Sequence, residues 1–326
     1  MQLPHDRGPV SQHVIDALRT GHDARSIAVG THVIEDPDAQ LALWVLYELH
    51  YRGFDGVPDR EWDLGLLALR ATLEHRFEIE LRDAVGPTLD ALPRTGDVVE
   101  LLFALVEADD GPPLASYLQR EASRDDVLDF LRERSVQQLK ESDPQSFVLP
   151  RIGGAAKVAL AELQYDEYGG GRPERLHAQL YADALAAAGL DASYGAYVDE
   201  VSALSLACAN VMSLFGLNRR LRGAAMGHLA AFEATSSVPS RKLAAGVERV
   251  GLPDTVAEYF HEHVEADAVH EQVAVRDICA SLVAEDPTLH DDVLFGAAGC
   301  LHLAALSGAE LLERWTHESP RLEVAS

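Results

Sequence analysis

Apolar residues recur at helical spacing along nearly the whole chain, and no segment alternates apolar and polar positions as a half-buried strand would. The pattern predicts amphipathic helices over 38–52, 61–85 and 97–108. Asp109-Asp110-Gly111-Pro112-Pro113 then breaks it, because proline and glycine cannot continue a helix. Ser123 with Asp126 three residues on reads as a capping box, opening a helix that ends near 142–144. Further helices are expected over 153–168, 173–189, 193–216, 219–235, 240–249, 254–284, 287–290 and 292–315. The fold class is therefore all-α: a helical bundle over 113–326 preceded by a smaller helical region over 1–112. Mobility is expected in roughly the first thirty residues and in the tail after Trp315.

Composition narrows the function. The chain has 326 residues, with Lys+Arg 27 against Asp+Glu 53, giving a formal charge of −26. That balance argues against a protein that tracks phosphates on nucleic acid or docks on anionic lipid, both of which need a basic face. Three scattered cysteines (Cys208, Cys279, Cys300) without a Cys-x-x-Cys pair exclude a zinc ribbon or disulfide framework. With no apolar export segment at the start, they lead to the expectation of a cytoplasmic protein. The apolar run at 293–309 contains His302 and several small residues and lacks basic flanks, so it reads as a core helix rather than a membrane span.

The segment from His261 to His270 carries the strongest chemical signal. On a helix of about 100° per residue, with His263 at zero, Asp267 falls at about 40° and His270 at about −20°. Val256, Tyr259, Phe260, Ala266 and Ala274 share that face, while Glu258, His261, Glu265 and Gln272 lie opposite. The His-x3-Asp-x2-His set thus points inward, and buried imidazoles and carboxylates need a partner or a metal. Glu233 sits on a stripe with Met226, Leu229 and Ala230. Glu167 shares a face with Ala156, Leu160 and Leu163, and closes its helix against Gly169-Gly170-Gly171. His177 lies with Leu180, Tyr181 and Ala184. Each alone is compatible with a hydrogen-bonded core residue. Together they form a set of imidazoles and carboxylates on several helices of one bundle, which suits a pair of iron or manganese ions.

Two Glu-x-x-His pairs, Glu174 with His177 and Glu258 with His261, raise a ferritin-like scheme, but the second lies on the polar side of its helix. His228, five residues before Glu233, falls well round its helix from that carboxylate. Nucleophile-elbow, dinucleotide, Walker and His-Glu-x-x-His motifs are absent. Pocket-lining residues are expected on the 193–216 helix and around Phe232 and Tyr259.

Several of these segments resemble the haem-oxygenase-like diiron oxidases and oxygenases. They are Leu139-Lys140-Glu141-Ser142-Asp143-Pro144, Leu149-Pro150-Arg151, Ala161 through Gly171 with His177, Gly227 through Glu233, and the helix of His263, Asp267 and His270. The resemblance runs over residues 125–315. It is closest to the N-oxygenase branch that includes the nitrosourea-forming enzyme of streptozotocin assembly, in which a Glu and a His also stand ten residues apart. It implies a haem-oxygenase-like bundle whose metal ligands are Glu141, Glu167, His177, Glu233, His263, Asp267 and His270. Glu141 rests mainly on the resemblance.

The implied cofactor is two Fe ions cycling between Fe2+ and Fe3+, with O2 as co-substrate. The implied activity is N-oxygenation of a small amine, guanidine or amino-heterocycle in natural-product biosynthesis, through a peroxo-diferric intermediate. Alternatives are desaturation or C–C cleavage of a fatty or amino acid, and iron binding without turnover. Implied partners are the small-molecule amine, an external electron donor and a second copy of the chain. The homodimer would form through residues 1–112, where the helix around Leu41, Trp44, Leu46 and Leu49 is apolar on several faces. Neither nucleic acid nor membrane is expected. The chain is also expected to lack the cupin-type domain, and the rearrangement chemistry, of the nitrosourea-forming enzyme.

Overall fold

The computed structural model describes residues 1–25, 27–93 and 95–318, with the side chains at 265, 267, 268 and 318 outside the description. Helices follow in order α1 (Pro9–Thr20), α2 (Pro37–Glu48), α3 (Leu64–Asp90), α4 (Val98–Glu107), α5 (Leu114–Arg120), α6 (Arg124–Gln138) and α7 (Asp143–Ser146). Then come α8 (Gly154–Glu167), α9 (His177–Ala187), α10 (Ala203–Leu217), α11 (Arg222–Ala234), α12 (Ser237–Arg249) and α13 (Asp254–Gln272). A π-helical segment (Val273–Cys279), α14 (Ala280–Glu285) and α15 (His290–Glu318) close the chain. Among the described residues there is no β-strand.

The caps follow the chemistry of exposed helix N–H groups. Asp36, Asp63, Asp97 and Ser202 each accept from backbone N–H groups in the first turn of α2, α3, α4 and α10. The Ser123–Asp126 capping box opens α6 as its sequence requires. α15 is long and apolar enough to cross a membrane by length and composition. In this structure it serves as a core helix, with Val293, Phe295, Ala297, Leu303 and Leu311 buried. Two glycines allow α11 and α15 to touch backbone to backbone: a Cβ on Gly227 would lie 1.8 Å from the Val293 carbonyl oxygen, and one on Gly296 1.9 Å from that of Ala224. No larger residue fits at either position without parting the helices.

Several expectations are corrected. The first thirty residues include α1, whose Val10, Val14, Ile15, Ala17 and Leu18 are buried against α2. That spacing is itself amphipathic, and Pro9 at the first helical position starts it. The 173–189 helix begins only at His177, after a glycine turn and a single 3₁₀ turn at Pro173–Arg175. The 193–216 helix begins at Ala203, because Asp191 through Val201 form turns. α5, a short helix between the expected break at 109–113 and the helix opened by Ser123, is not among the expected helices.

The apolar faces of α2 are covered within the chain by α1, α3 and α10, and α3 and α4 pack on α15. One apolar core thus runs from Val10 through Trp44 and Leu73 to Phe215 and Phe295. The expected mobile tail is helical to Glu318, and residues beyond it lie outside those described.

Candidate metal centre

Six of the seven candidate ligands converge in the middle of the bundle. Glu141, His177 and His263 form one trio, and Glu167, Glu233 and His270 another. In each, one donor atom from every residue lies within 4.8 Å of the others. All six are at most 7% exposed. The side chain of the seventh, Asp267, lies outside those described, although its backbone is in α13 between His263 and His270. The rival Glu-x-x-His scheme fails here, since Glu174, Glu258 and His261 are exposed and His261 faces Glu248 at 3.4 Å.

Each ligand is placed by a different device. α13 presents His263 and His270 on one face, seven residues apart, and α11, locked to α15 by its glycine contact, presents Glu233. Glu167 is the last residue of α8 and His177 the first of α9. Between them Gly169, Gly170 and Gly171 all take left-handed backbone angles, and a Cβ on Gly169 would lie 2.6 Å from the Arg175 carbonyl carbon. Only glycine makes this reversal, which folds the two ligands toward each other.

Glu141 sits just beyond the end of α6, in a turn rather than on a regular face. The preceding residue, Lys140, is buried and donates to Glu48 Oε1 at 2.8 Å, and the Tyr194 hydroxyl donates to the same carboxylate. The following residue, Ser142, takes φ 68°, the one non-glycine left-handed angle among the described residues. Its carbonyl accepts from Gln164 Nε2 at 2.8 Å, and its hydroxyl donates to Glu167 Oε2 at 2.7 Å. A strained residue held by two hydrogen bonds beside a buried carboxylate is typical of a functional site.

Outer contacts orient the donors. His263 Nδ1 lies 2.7 Å from the Tyr259 carbonyl oxygen, so this nitrogen carries the proton and Nε2 is left as the donor, 3.6 Å from Glu141 Oε2. Gln138 Nε2 donates to Glu141 Oε1 at 3.0 Å and to the Tyr259 hydroxyl at 2.6 Å, and that hydroxyl donates to Glu141 Oε2 at 3.3 Å. Burial, then the nearby Glu141, push the Tyr259 phenol well above its ordinary pKa, which keeps it a donor.

Glu167 joins the two trios. Its Oε2 lies 3.2 Å from His177 Nδ1 and its Oε1 3.3 Å from His270 Nδ1, and neither contact has the angle of a hydrogen bond. Buried nitrogens that face carboxylate oxygens off the hydrogen-bond line suit donors directed at a common cation between them. The residues therefore fit a metal pair, with hard carboxylates and borderline imidazoles of the kind iron accepts. Electrostatics agree. Desolvation lowers the pKa of His270, but the Glu167 and Glu233 carboxylates outweigh it and raise it to about 11. His177 is likewise raised by Glu167 against the desolvation that lowers it. Desolvation raises Glu167, yet the two imidazoles hold it well below the usual carboxylate range, whereas desolvation wins at Glu233 and raises it. A cation entering this site would displace protons from the imidazoles.

A cavity of about 300 Å³ abuts the cluster. Gln138, Phe232 and His263 line both it and a small void walled by Glu141, Glu167 and Glu233, so they form the partition between cavity and cluster. Phe232 and Tyr259 line the cavity as expected, but the 193–216 helix does not. Within that helix only Met212 touches the small void, and the large cavity is built from α5, α6, α9, α11 to α13 and α15. His228 stands apart, stacked on Phe232 with ring centroids 6.5 Å apart and edge-on to Phe215.

Residues 128–305 match the family described as iron-containing redox enzymes. That is more than half of the chain, which belongs to this family of oxidoreductases and has its haem-oxygenase-like fold. A crystal structure of a CADD-like protein of unknown function from Nostoc punctiforme PCC 73102 shares the fold, with TM-score 0.53 and 16% identity, covering 67% of this chain and 96% of that one. No curated protein matches.

Proposed function

We propose that this protein is a diiron N-oxygenase, in which Glu141, His177 and His263 hold one iron, Glu233 and His270 the other, and Glu167 lies between them. Asp267 completes the set by its position on α13. The observation that carries the reading is the pair of buried trios joined through Glu167, ten residues before His177 as in the N-oxygenases that the chain resembles. Two ferrous ions bound there would supply two electrons to dioxygen. The chain's own contribution is positional. Gln138 and Tyr259 fix the Glu141 carboxylate, the Tyr259 carbonyl fixes the His263 ring, and Phe232 with the apolar cavity wall keeps bulk water from the reacting face. The amine enters from the cavity side past Gln138, Phe232 and His263. The reading includes an external electron donor, since the chain has no flavin or nicotinamide motif, and a cytoplasmic location; a homodimer rests on the resemblance alone, because the α2 faces that suggested it are covered within the chain.

The test is to supply the reduced, iron-loaded protein with dioxygen and a panel of small amines and guanidines, following products by mass spectrometry. The expected products carry one or more oxygen atoms on nitrogen. Alkene or chain-shortened products would establish desaturation or C–C cleavage instead. Oxygen uptake that stops after one equivalent per site, whatever amine is present, would establish iron binding without turnover.

A further inference from the structure

Arg134 is the notable charge in the cavity wall. It lies on α6, one helical turn before Gln138, so both face the cavity together. In a chain with about twice as many acids as bases, many of the arginines are engaged. Arg314 binds Asp129 and Glu133, Arg220 binds Glu78, Arg222 binds Asp286, and Arg249 caps the carbonyls of Leu118 and Ala122. Arg134 has no such partner: among the described residues no carboxylate lies within ion-pair distance of it and no acceptor takes its hydrogen bonds. Asp109 lines the same cavity without pairing to it, and burial pushes that carboxyl up, away from the charged form. The walls between are apolar and aromatic, with Phe130, Tyr181, Phe260, Leu243 and Leu301 among them.

An unpaired guanidinium in an apolar cavity is poised for an anion from outside the chain, and its planar fork matches a carboxylate. We infer that the cavity takes a substrate with a carboxylate end held by Arg134, an apolar middle on the aromatic wall, and a reacting end directed past Gln138 toward His263. Arg134 and Gln138 are separated by about 6 Å along the helix axis. A substrate that reaches from Arg134 past Gln138 to His263 carries its reacting nitrogen at the end away from the carboxylate, not on the adjacent carbon. The location of the reacting end rests on the diiron reading; the carboxylate site does not.

The probes are 4-phenylbutyrate and its uncharged amide, titrated calorimetrically into the purified full-length protein and into Arg134→Gln and Arg134→Lys, with iron content measured on the same samples. The wild type should bind the acid at least about tenfold more tightly than the amide. Arg134→Gln should bind the two alike, Arg134→Lys should keep part of the preference, and iron content should be unchanged in all three. Equal binding of acid and amide, undetectable binding of the acid, or a preference that survives in Arg134→Gln would each overturn the assignment. Because binding is read separately from iron content and turnover, failure here leaves the metal assignment standing, and the converse also holds.

Discussion

His263 Nδ1 lies 2.7 Å from the carbonyl oxygen of Tyr259, one helical turn earlier on α13. The same tyrosine's hydroxyl reaches Glu141, so one residue orients two candidate ligands of one trio from its two ends. Loss of the imidazole should therefore empty that trio. Wild-type protein loaded anaerobically should bind about two ferrous ions per chain, His263→Ala about one, and His261→Ala as many as wild type. Metal analysis after desalting checks this. Equal loss in both variants would revive a Glu-x-x-His site.

Ser142 combines backbone strain with a hydrogen bond to Glu167. Ser142→Gly relieves the left-handed backbone, worth about 1–3 kcal/mol, and loses a charge-assisted bond of similar size. Thermal stability should stay close to wild type while iron affinity falls about 10- to 100-fold, the usual cost of losing an outer partner of a ligand. A chelator competition titration measures the second quantity; unchanged affinity would make Ser142 purely structural.

The α11–α15 contact can be tested against an internal control. Gly227→Ala places a methyl group in the Val293 carbonyl and should cost about 3 kcal/mol or more, lowering the melting temperature by several degrees. Gly86, in α3, has open space where its Cβ would stand, and Gly86→Ala should change stability by less than about 1 kcal/mol, its gain in helix propensity opposed by the crowding of Pro87 next in the helix. A large loss at one glycine and a small change at the other distinguish close approach from mere helical location.

His228 sets an acid limit on stability. Desolvation lowers its pKa from 6.5 to about 4, so the folded state holds it neutral while the unfolded state protonates it. Its contribution is therefore fully present above about pH 6.5 and is lost as pH falls toward 4, a total of about 3 kcal/mol. Urea titrations at pH 7 and pH 4.5 should show a smaller pH-dependent loss in His228→Phe than in wild type. Equal losses would show that His228 is solvated.

The residues legible in the sequence were those on regular helices. His263 and His270 share a face because seven residues make nearly two turns, and Glu233 interrupts an apolar stripe. Glu167 and His177 were legible for the added reason that three glycines between them announce a reversal. Glu141 was not legible from periodicity, since it lies in a turn set by the Lys140–Glu48 pair and the Ser142 backbone, contacts that span up to 92 residues. Arg134 left no signal either. A lone arginine on a charged helix reads as solvated, and only the packing of α9, α12, α13 and α15 around it makes a cavity wall. α1 carried an amphipathic pattern that its position near the start of the chain obscured.

If the two trios hold iron, the two ions are close enough to couple through Glu167. Mössbauer spectroscopy of the protein loaded with iron-57 and then oxidised by air reads this coupling. Two irons per chain should be found, their ferric spins coupled to a diamagnetic ground state that gives a quadrupole doublet without magnetic splitting in a weak applied field. A magnetically split spectrum of isolated high-spin ferric ions, at one per chain, would contradict it.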